Sequence, residues 1–186
     1  CDYYATSLHK WLGAPFGTGM MYIKKEKIKN IWALLSNDKP DSEDIHKFET
    51  LGTRSFAAEM AISNAIDFHN VIGSKRKEER LRYLKNYWAE KAAKIPKVKL
   101  NTSLLPQYSC AIANFSIDGW QAGDIDSKLW ENKKIHSVGI NWEKIHGVRI
   151  TPNVYTSLKD LDRLVKGIEE IAAMDPPAAT TAPEKK

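Results

Sequence analysis

The sequence predicts an α/β protein that consists of the end of a larger α/β sheet domain followed by a small α+β domain. Helical and strand-like segments alternate along the chain. The helix predicted after Gly73 stops before Pro96, and the pattern changes there. The segment before Pro96 has too few strands to cover its helices, which indicates part of a larger sheet domain. We therefore assign residues 1–95 to the first domain, 96–174 to the second, and 175–186 to a low-complexity tail expected to be disordered.

The first domain begins with two predicted strands. They cover residues 2–6, expected to be a buried strand end, and 20–23, with a Gly- and Pro-rich turn between them. A short helix is predicted over 26–35 and a longer one over 56–72, which Gly73 ends. The apolar side chains expected to face inward from the short helix are those of Ile28, Ile31, Trp32 and Leu35.

Positive charge is concentrated in the next helix. The chain carries 28 Lys and Arg against 23 Asp and Glu, a net charge of +5, and the surplus lies between Lys75 and Lys99. We expect Ser74 to cap this helix, its charges to form a solvated face and its apolar face to pack inward; that face comprises Leu81, Leu84, Trp88 and Ile95. No nucleic-acid-binding motif accompanies the charge. A non-catalytic basic-helix module that binds an acidic partner is the alternative function.

The second domain reads as β-α-β-β-α. A strand is predicted over 108–117, a helix over 122–133, short strands over 135–140 and 148–151, and a final helix over 157–174 that begins with a near capping box. The apolar positions of the first of these helices are Ile125, Leu129 and Trp130, and tryptophans at such spacings are expected to pack in the core.

Composition narrows the class of protein. With 186 residues, 42% hydrophobic and 27% charged, the chain is globular. Two cysteines are too few for a disulfide framework, and no apolar run could span a bilayer. The low cysteine content leads us to expect a reducing cytoplasm, and no signal peptide is visible in the sequence. His136 and His146 lack a third ligand, and no metal site is expected.

Lys10 is the first candidate catalytic residue along the chain. It follows a predicted buried strand and precedes a glycine-rich turn. Burial lowers the pKa of an ammonium group, and a neutral lysine can form a Schiff base with a carbonyl compound. Spacing alone leaves the alternative of an ordinary surface lysine open.

The longer string DYYATSLHKWLGAPFGTGMMY, from Asp2 to Tyr22, closely resembles the lysine region of class V aminotransferases. These are pyridoxal-phosphate (PLP) enzymes of fold type I and include cysteine desulfurases and isopenicillin N epimerase-like proteins. Two further segments agree in order: Gly52-Thr53-Arg54, and GVRITPNVYTS from residue 147. The resemblance covers roughly residues 2–173. It implies the end of a PLP fold-type I large domain followed by a small α+β carboxyl-terminal domain.

The resemblance also implies roles around the lysine. Lys10 would bind PLP covalently and then carry a proton at the α-carbon of the substrate. Ser7 and His9 match positions near the cofactor, with Ser7 the better candidate for its phosphate; packing of the strand is their alternative role.

Three other positions match the family away from the lysine. Gly52 and Thr53 match a clamp on the phosphate of a neighbouring subunit's PLP, with a helix N-cap as the alternative for Thr53. Arg149 matches the arginine that binds the substrate carboxylate, with a strand-edge ion pair as its alternative. Arg54 fits the pattern without an assigned role.

The resemblance implies transamination, epimerisation or β-elimination of an amino acid by a homodimer. No nucleic-acid or membrane partner is expected, because the sequence has no nucleic-acid-binding motif and no apolar run long enough to span a bilayer. Family elements upstream of the lysine, among them an Asp that pairs with the pyridine nitrogen, have no counterpart in this chain, because only nine residues precede Lys10. We therefore expect the carboxyl-terminal part of a longer enzyme, inactive by itself. No cysteine occurs between Ile135 and Gly147, and Cys110 falls in a predicted apolar strand, which disfavours a cysteine desulfurase.

Overall fold

A computed structural model describes residues 1–177. The chain forms two compact units, Cys1–Gly73 and Ser74–Lys186. Most of the tail predicted to be disordered lies outside the described residues; the three described positions, 175–177, have no regular secondary structure. No helix among the described residues is long and apolar enough to cross a membrane.

The first unit opens with an antiparallel pair of strands, β1 (Tyr3–Ser7) and β2 (Gly19–Ile23). Both strands were expected, and their positions agree with the prediction to within one residue. The expectation that the first is buried is wrong, because β1 is largely exposed. Its sheet has two strands in the described chain, so β2 is the one strand among the described residues that pairs with β1.

The predicted helix over 26–35 is only a 3₁₀ helix, Lys25–Asn30, and a second 3₁₀ helix covers Ile45–Phe48. Ile28 is buried as expected, but Trp32 is 71% exposed and Leu35 is also exposed. The inward orientation predicted for these two side chains is wrong. The chain leaves helical conformation at Ile31 (φ −109°, ψ 127°), so the helical spacing no longer puts them on one face.

Helix α1 (Phe56–Ile72) matches its predicted bounds, and Gly73 ends it at φ +85°. Ala65 of α1 packs in a small apolar cluster with Leu8 and Ala14. The first unit also exposes large apolar side chains to solvent, including Phe16 at 93% and Leu34 at 99%. Its hydrophobic core is therefore small.

The second unit is an antiparallel sheet with helices packed on one face. The strands β3 (Val98–Leu100), β4 (Ala113–Ile117), β5 (Val138–Trp142) and β6 (Ile145–Ile150) have the order β3-β4-β6-β5. The helices are α2 (Ser74–Ala92), α3 (Ala122–Lys133) and α4 (Leu158–Ala172). One core joins them to the sheet, and its fully buried side chains include Trp88, Phe115, Ile125, Val148 and Ile168.

Helix α2 belongs to the second unit. Its Leu84 and Trp88 pack in the same core as Phe115, whereas the predicted boundary after residue 95 placed this helix with the preceding domain. Ser74 is the first residue of α2, and its capping role stays a prediction. The domain division of a longer protein stays a prediction.

Two basic residues of α2 are not solvated. Lys85 is 1% exposed and Lys77 is also buried, so the prediction of a fully solvated charged face is wrong at these positions. The segment between β3 and β4 covers this part of the helix: Lys85 Nζ donates to Ser109 Oγ over 2.8 Å, and Arg82 donates to the Pro106 carbonyl. Burial lowers the pKa of both lysines.

Helices α3 and α4 agree with the sequence prediction, including the capping box between Ser157 and Asp160. The core position predicted for Trp130 is wrong, since this side chain is 54% exposed. Strand β4 is shorter than the predicted 108–117, and Cys110 lies before it, partly exposed. Strands β5 and β6 extend into the predicted loop and turn at Glu143, whose φ is +47°.

Candidate functional site

Lys10 lies in the turn that connects β1 to β2. Hydrogen bonds within the turn fix its backbone: the Leu8 amide donates to the Thr18 carbonyl (3.0 Å), and the Ala14 amide donates to the Leu8 carbonyl (3.1 Å). The Gly13 amide donates to the carbonyl of Lys10 itself, also over 3.1 Å. Gly13 has φ +83°, a conformation that favours glycine. These hydrogen bonds therefore hold the backbone of Lys10 in one conformation.

The Lys10 side chain is exposed. Among the described residues it forms no hydrogen bond or ion pair, and its ε-amino group is free to react with a ligand. The burial expected for the Lys10 ammonium group is not found, because the two-stranded sheet that carries this turn leaves β1 exposed. Lys10 instead presents an unpartnered amine on a braced turn.

Ser7 and His9 lie on either side of Leu8 and differ in their contacts. Ser7, the last residue of β1, is exposed and pairs across the ladder with Gly19. His9 is half-buried; its Nδ1 lies 3.0 Å from the Thr18 carbonyl oxygen, and its ring is 5.4 Å from that of Phe16. A carbonyl oxygen only accepts, so Nδ1 carries the proton in this contact. His9 thus braces the turn, and the Ser7 hydroxyl is open to solvent.

The Gly52-Thr53 segment forms an exposed turn before α1. Gly52 has φ +70° and open space on its Cβ side. Thr53 is exposed, and its hydroxyl forms no hydrogen bond within the described chain. The N-cap of α1 is Ser55, so the alternative role of Thr53 as a helix cap is wrong. No hydrogen bond among the described residues joins this turn to Lys10.

Arg54, which the sequence left without a role, braces the same turn. Its guanidinium donates to the Gly52 carbonyl (3.4 Å) and pairs with Glu59 of α1. It also lies 4.9 Å from the centre of the Phe56 ring. The contacts tie the turn to the first residues of α1.

Arg149 lies in the second unit, on β6 between β4 and β5. Its neighbours Val148 and Ile150 are both in the core, so by strand alternation Arg149 faces the opposite side of the sheet. It is half-buried, and its Nε atom is buried without a hydrogen-bond partner. Because β6 is an interior strand and Arg149 has no ion pair in the described chain, the alternative of a strand-edge ion pair is wrong. Its guanidinium is available to a carboxylate.

Sequence reasoning missed Asn114, the partner of Arg149 across the β4–β6 ladder. Asn114 is 8% exposed, and its side-chain oxygen accepts a hydrogen bond from Asn101 Nδ2 over 2.7 Å. Its own Nδ2 atom is buried without a partner. The sequence signal that could have identified Asn114 is a polar amide side chain within an otherwise apolar predicted strand.

The segment from Ile135 to Gly147 includes most of the β5–β6 hairpin and contains no cysteine. Cys110 is partly exposed, outside any strand, so its predicted place in an apolar strand is wrong. No group of three metal-ligating side chains occurs among residues 1–177. The candidate functional groups of the described chain are the Lys10 amine and the Ser7 and Thr53 hydroxyls in the first unit, and the Arg149 guanidinium in the second.

Comparisons with known proteins agree on one family. The protein-family model for Aminotransferase class-V matches residues 1–164. Isopenicillin N epimerase from Streptomyces clavuligerus is 26% identical over 188 residues, covering 92% of this chain and 47% of the epimerase. The chain thus spans about half the length of this relative.

Solved structures share the fold. The apo structure of a cysteine desulfurase from Thermococcus onnurineus NA1 matches with a TM-score of 0.79 at 21% identity, over 92% of this chain and 47% of the desulfurase. A mutant of C-DES with glycine covalently linked to its PLP cofactor matches with a TM-score of 0.75 at 19% identity, over 91% of this chain and 46% of C-DES. The predicted α/β fold class is confirmed.

Proposed function

Because this chain belongs to the class V aminotransferase family, we propose that it forms part of a PLP-dependent enzyme acting at the α-carbon of an amino acid. The cofactor of the family is PLP. The observation that carries the proposal is the unpartnered ε-amino group of Lys10 on a turn with a fixed backbone. A covalent link to an aldehyde needs such a free amine.

The residues of the first unit fit the cofactor. Lys10 would hold it covalently, and the open hydroxyl of Ser7 is the nearby candidate for its phosphate. His9 has one ring nitrogen bound to Thr18, which leaves Nε2 for the cofactor. At Gly52 and Thr53, an open backbone turn and a free hydroxyl suit phosphate oxygens. In a homodimer these two residues would serve the neighbouring subunit's cofactor.

PLP, when bound, supplies electron withdrawal from the α-carbon of an amino acid. The protein supplies position and proton transfer. Arg149 binds the substrate carboxylate through its planar guanidinium and so fixes the orientation of the α-carbon. The Lys10 amine, once free, takes or returns the proton at that carbon.

Aminotransferase, epimerase and lyase reactions all use this set of groups. They differ in where the proton returns and in whether a substituent leaves the side chain. A desulfurase requires in addition a nucleophilic cysteine near Arg149, and the β5–β6 hairpin has none. We propose transamination, epimerisation or elimination for the complete enzyme.

The alternative of a basic-helix module has less support. Arg80 donates to the Thr156 carbonyl (3.1 Å), Lys91 pairs with Asp162, and Lys85 is buried. These basic residues of α2 serve the packing of the second unit and are not displayed for an acidic partner.

The test is to trap the lysine. The chain, expressed with any coding sequence that precedes Cys1 in its gene, is incubated with PLP and reduced with borohydride, and the labelled peptide is mapped by mass spectrometry. A pyridoxyl group on Lys10, with Lys24 and Lys25 unlabelled as internal controls, is expected. A folded protein labelled equally at all exposed lysines would contradict the proposal.

A further inference from the structure

Two buried hydrogen-bond donors without partners among the described residues belong to directly paired residues of the second unit's sheet. They are Nδ2 of Asn114 and Nε of Arg149, and the two residues are direct Cα partners in the β4–β6 ladder. Buried donors are almost always paired in native proteins. Two unpaired donors in register suggest a common acceptor that a ligand would provide.

Both side chains leave the same face of the sheet. Phe115 of β4 and Val148 of β6, their neighbours along the strands, are fully buried in the core. Alternation directs Asn114 and Arg149 to the opposite face. Directly opposite residues of antiparallel strands have Cβ atoms about 4.5–5.5 Å apart, a separation that one acceptor group with two oxygens can bridge.

The orientation of the Asn114 amide follows from its neighbours. Asn101 Nδ2 lies 3.0 Å from the carbonyl oxygen of His146, which only accepts, so this atom of Asn101 is a nitrogen. The same nitrogen lies 2.7 Å from Asn114 Oδ1, which must therefore be the oxygen of the Asn114 amide. The remaining atom is the NH₂ group, and it is the unpaired one.

Gly147 and Thr102 hold Asn114 in place. A Cβ atom at Gly147 would collide with the Phe115 carbonyl oxygen, Asn114 Oδ1 and Asn101 Nδ2, so glycine lets both the β4 backbone and the paired amides lie against β6 there. The Asn114 backbone amide donates to Thr102 Oγ1 over 3.0 Å. The free NH₂ group is thus positioned before any ligand arrives, which reduces the entropy lost on binding.

We propose that Asn114 is a second binding residue for the substrate carboxylate, beside Arg149. The inference rests on the proposed role of Arg149. The guanidinium contributes charge and one donor, and the Asn114 amide contributes a neutral donor to the other carboxylate oxygen. The pair favours a planar anion with two oxygens over a neutral amide of the same shape.

The experiment measures carboxylate binding by the full chain. Acetate is titrated at constant ionic strength into ¹⁵N-labelled protein, and the side-chain signals of Asn114 and Arg149 are followed by NMR. Acetamide is the neutral control ligand. In wild type both signals should shift in a saturable way with acetate and stay unchanged with acetamide.

Variants separate this inference from the proposed function. Asn114→Leu keeps the shape of the side chain and should raise the acetate Kd about tenfold, the usual effect of a hydrogen bond to a charged group. Asn114→Ser, too short to reach, is the second variant if the first does not fold. Asn141→Leu, the same change at an exposed position of β5, should have no effect. Arg149→Leu should abolish binding.

The remaining outcomes contradict the role of Asn114 alone or the roles of both residues. Loss of binding in Arg149→Leu together with unchanged affinity in both Asn114 variants would overturn the role of Asn114 and leave that of Arg149 intact. Unchanged affinity in Arg149→Leu, or no saturable shift in wild type, would overturn both.

Discussion

His9 donates its Nδ1–H to the Thr18 carbonyl oxygen across 3.0 Å, so the residue before Lys10 is bound to the residue that begins the return to β2. Thr18 is itself tied to Pro15 through its side chain (2.7 Å) and its backbone amide (3.2 Å). The turn is therefore closed by side chains as well as by backbone bonds, and its order depends on His9.

Replacing His9 should loosen this turn. His9→Ala removes the donor and should reduce the free energy of unfolding by about 1 kcal/mol. His9→Asn keeps an N–H donor at a similar distance from the backbone and should recover much of that loss. Urea unfolding measures both variants. If His9→Ala and His9→Asn were equally stable, the contact with Thr18 would not contribute.

Lys10 should matter for chemistry and not for stability. Its side chain is exposed and unpartnered in the described chain, so Lys10→Arg should change the free energy of unfolding by less than about 0.5 kcal/mol. It should nevertheless remove borohydride-trapped PLP, because a guanidinium stays protonated and does not attack an aldehyde. Lys25→Arg is the matched control and should leave the trapped label in place. Trapping that survives Lys10→Arg would place the reactive amine elsewhere.

Gly52 should resist substitution for a conformational reason. Its φ of +70° disfavours any residue with a Cβ atom, although space is available there. Gly52→Ala should therefore cost about 1 kcal/mol. Gly123→Ala in α3, also with open space but without a positive φ, should be neutral or stabilising. Thermal unfolding of the two variants compares them, and equal effects would show that backbone strain does not decide the cost.

Lys85 makes stability depend on pH. Burial lowers the pKa of Lys85 in the folded state from its ordinary value of 10.5, so the unfolded chain binds more protons between the two pKa values. This group's penalty on stability is full below the folded pKa and is relieved as pH rises toward 10.5. Lys85→Met should accordingly stabilise the protein near pH 7, with the gain shrinking at alkaline pH.

The exposed Lys75→Met variant is the control for Lys85→Met. Unfolding curves at several pH values should show no comparable trend for it. A gain at Lys85→Met that stayed constant up to alkaline pH would mean that packing, not the buried charge, causes the effect.

Residues 1–186 without additional sequence should not turn over amino acids. The chain spans about half the length of the relatives it matches, so groups that assist the cofactor from the other half would be missing from these residues. Loss of the partner for the pyridine nitrogen weakens electron withdrawal. An assay for α-proton exchange in deuterium oxide, with PLP present, should give no signal above free PLP. Exchange that depends on Lys10 would contradict this expectation.

The periodic helices were predictable from sequence, and the contacts across the sheet were not. Helix α1 matches its predicted bounds because an apolar periodicity and a terminal glycine specify it locally. Trp32 was assigned to the core by spacing alone, but the helix ends before it. The pairing of Asn114 with Arg149 depends on the register between residues more than thirty positions apart in the sequence, which no local pattern encodes.

The roles of Lys10 and Arg149 came from the resemblance to a family and not from composition. The structure adds what each can contact: an unpartnered amine in one case and an unpaired buried donor in the other. The burial predicted for Lys10 is wrong, because the sheet that carries it has two strands among residues 1–177 and its β1 strand is largely exposed.

The apolar side chains that the first unit exposes also govern how the protein behaves in solution. Phe16, Leu34 and Val71, each more than four-fifths exposed, leave hydrocarbon in contact with water, and strongly hydrated salts such as sulfate make that contact less favourable. Ammonium sulfate should therefore precipitate the chain at low saturation, and low-salt buffers are the suitable conditions for its purification.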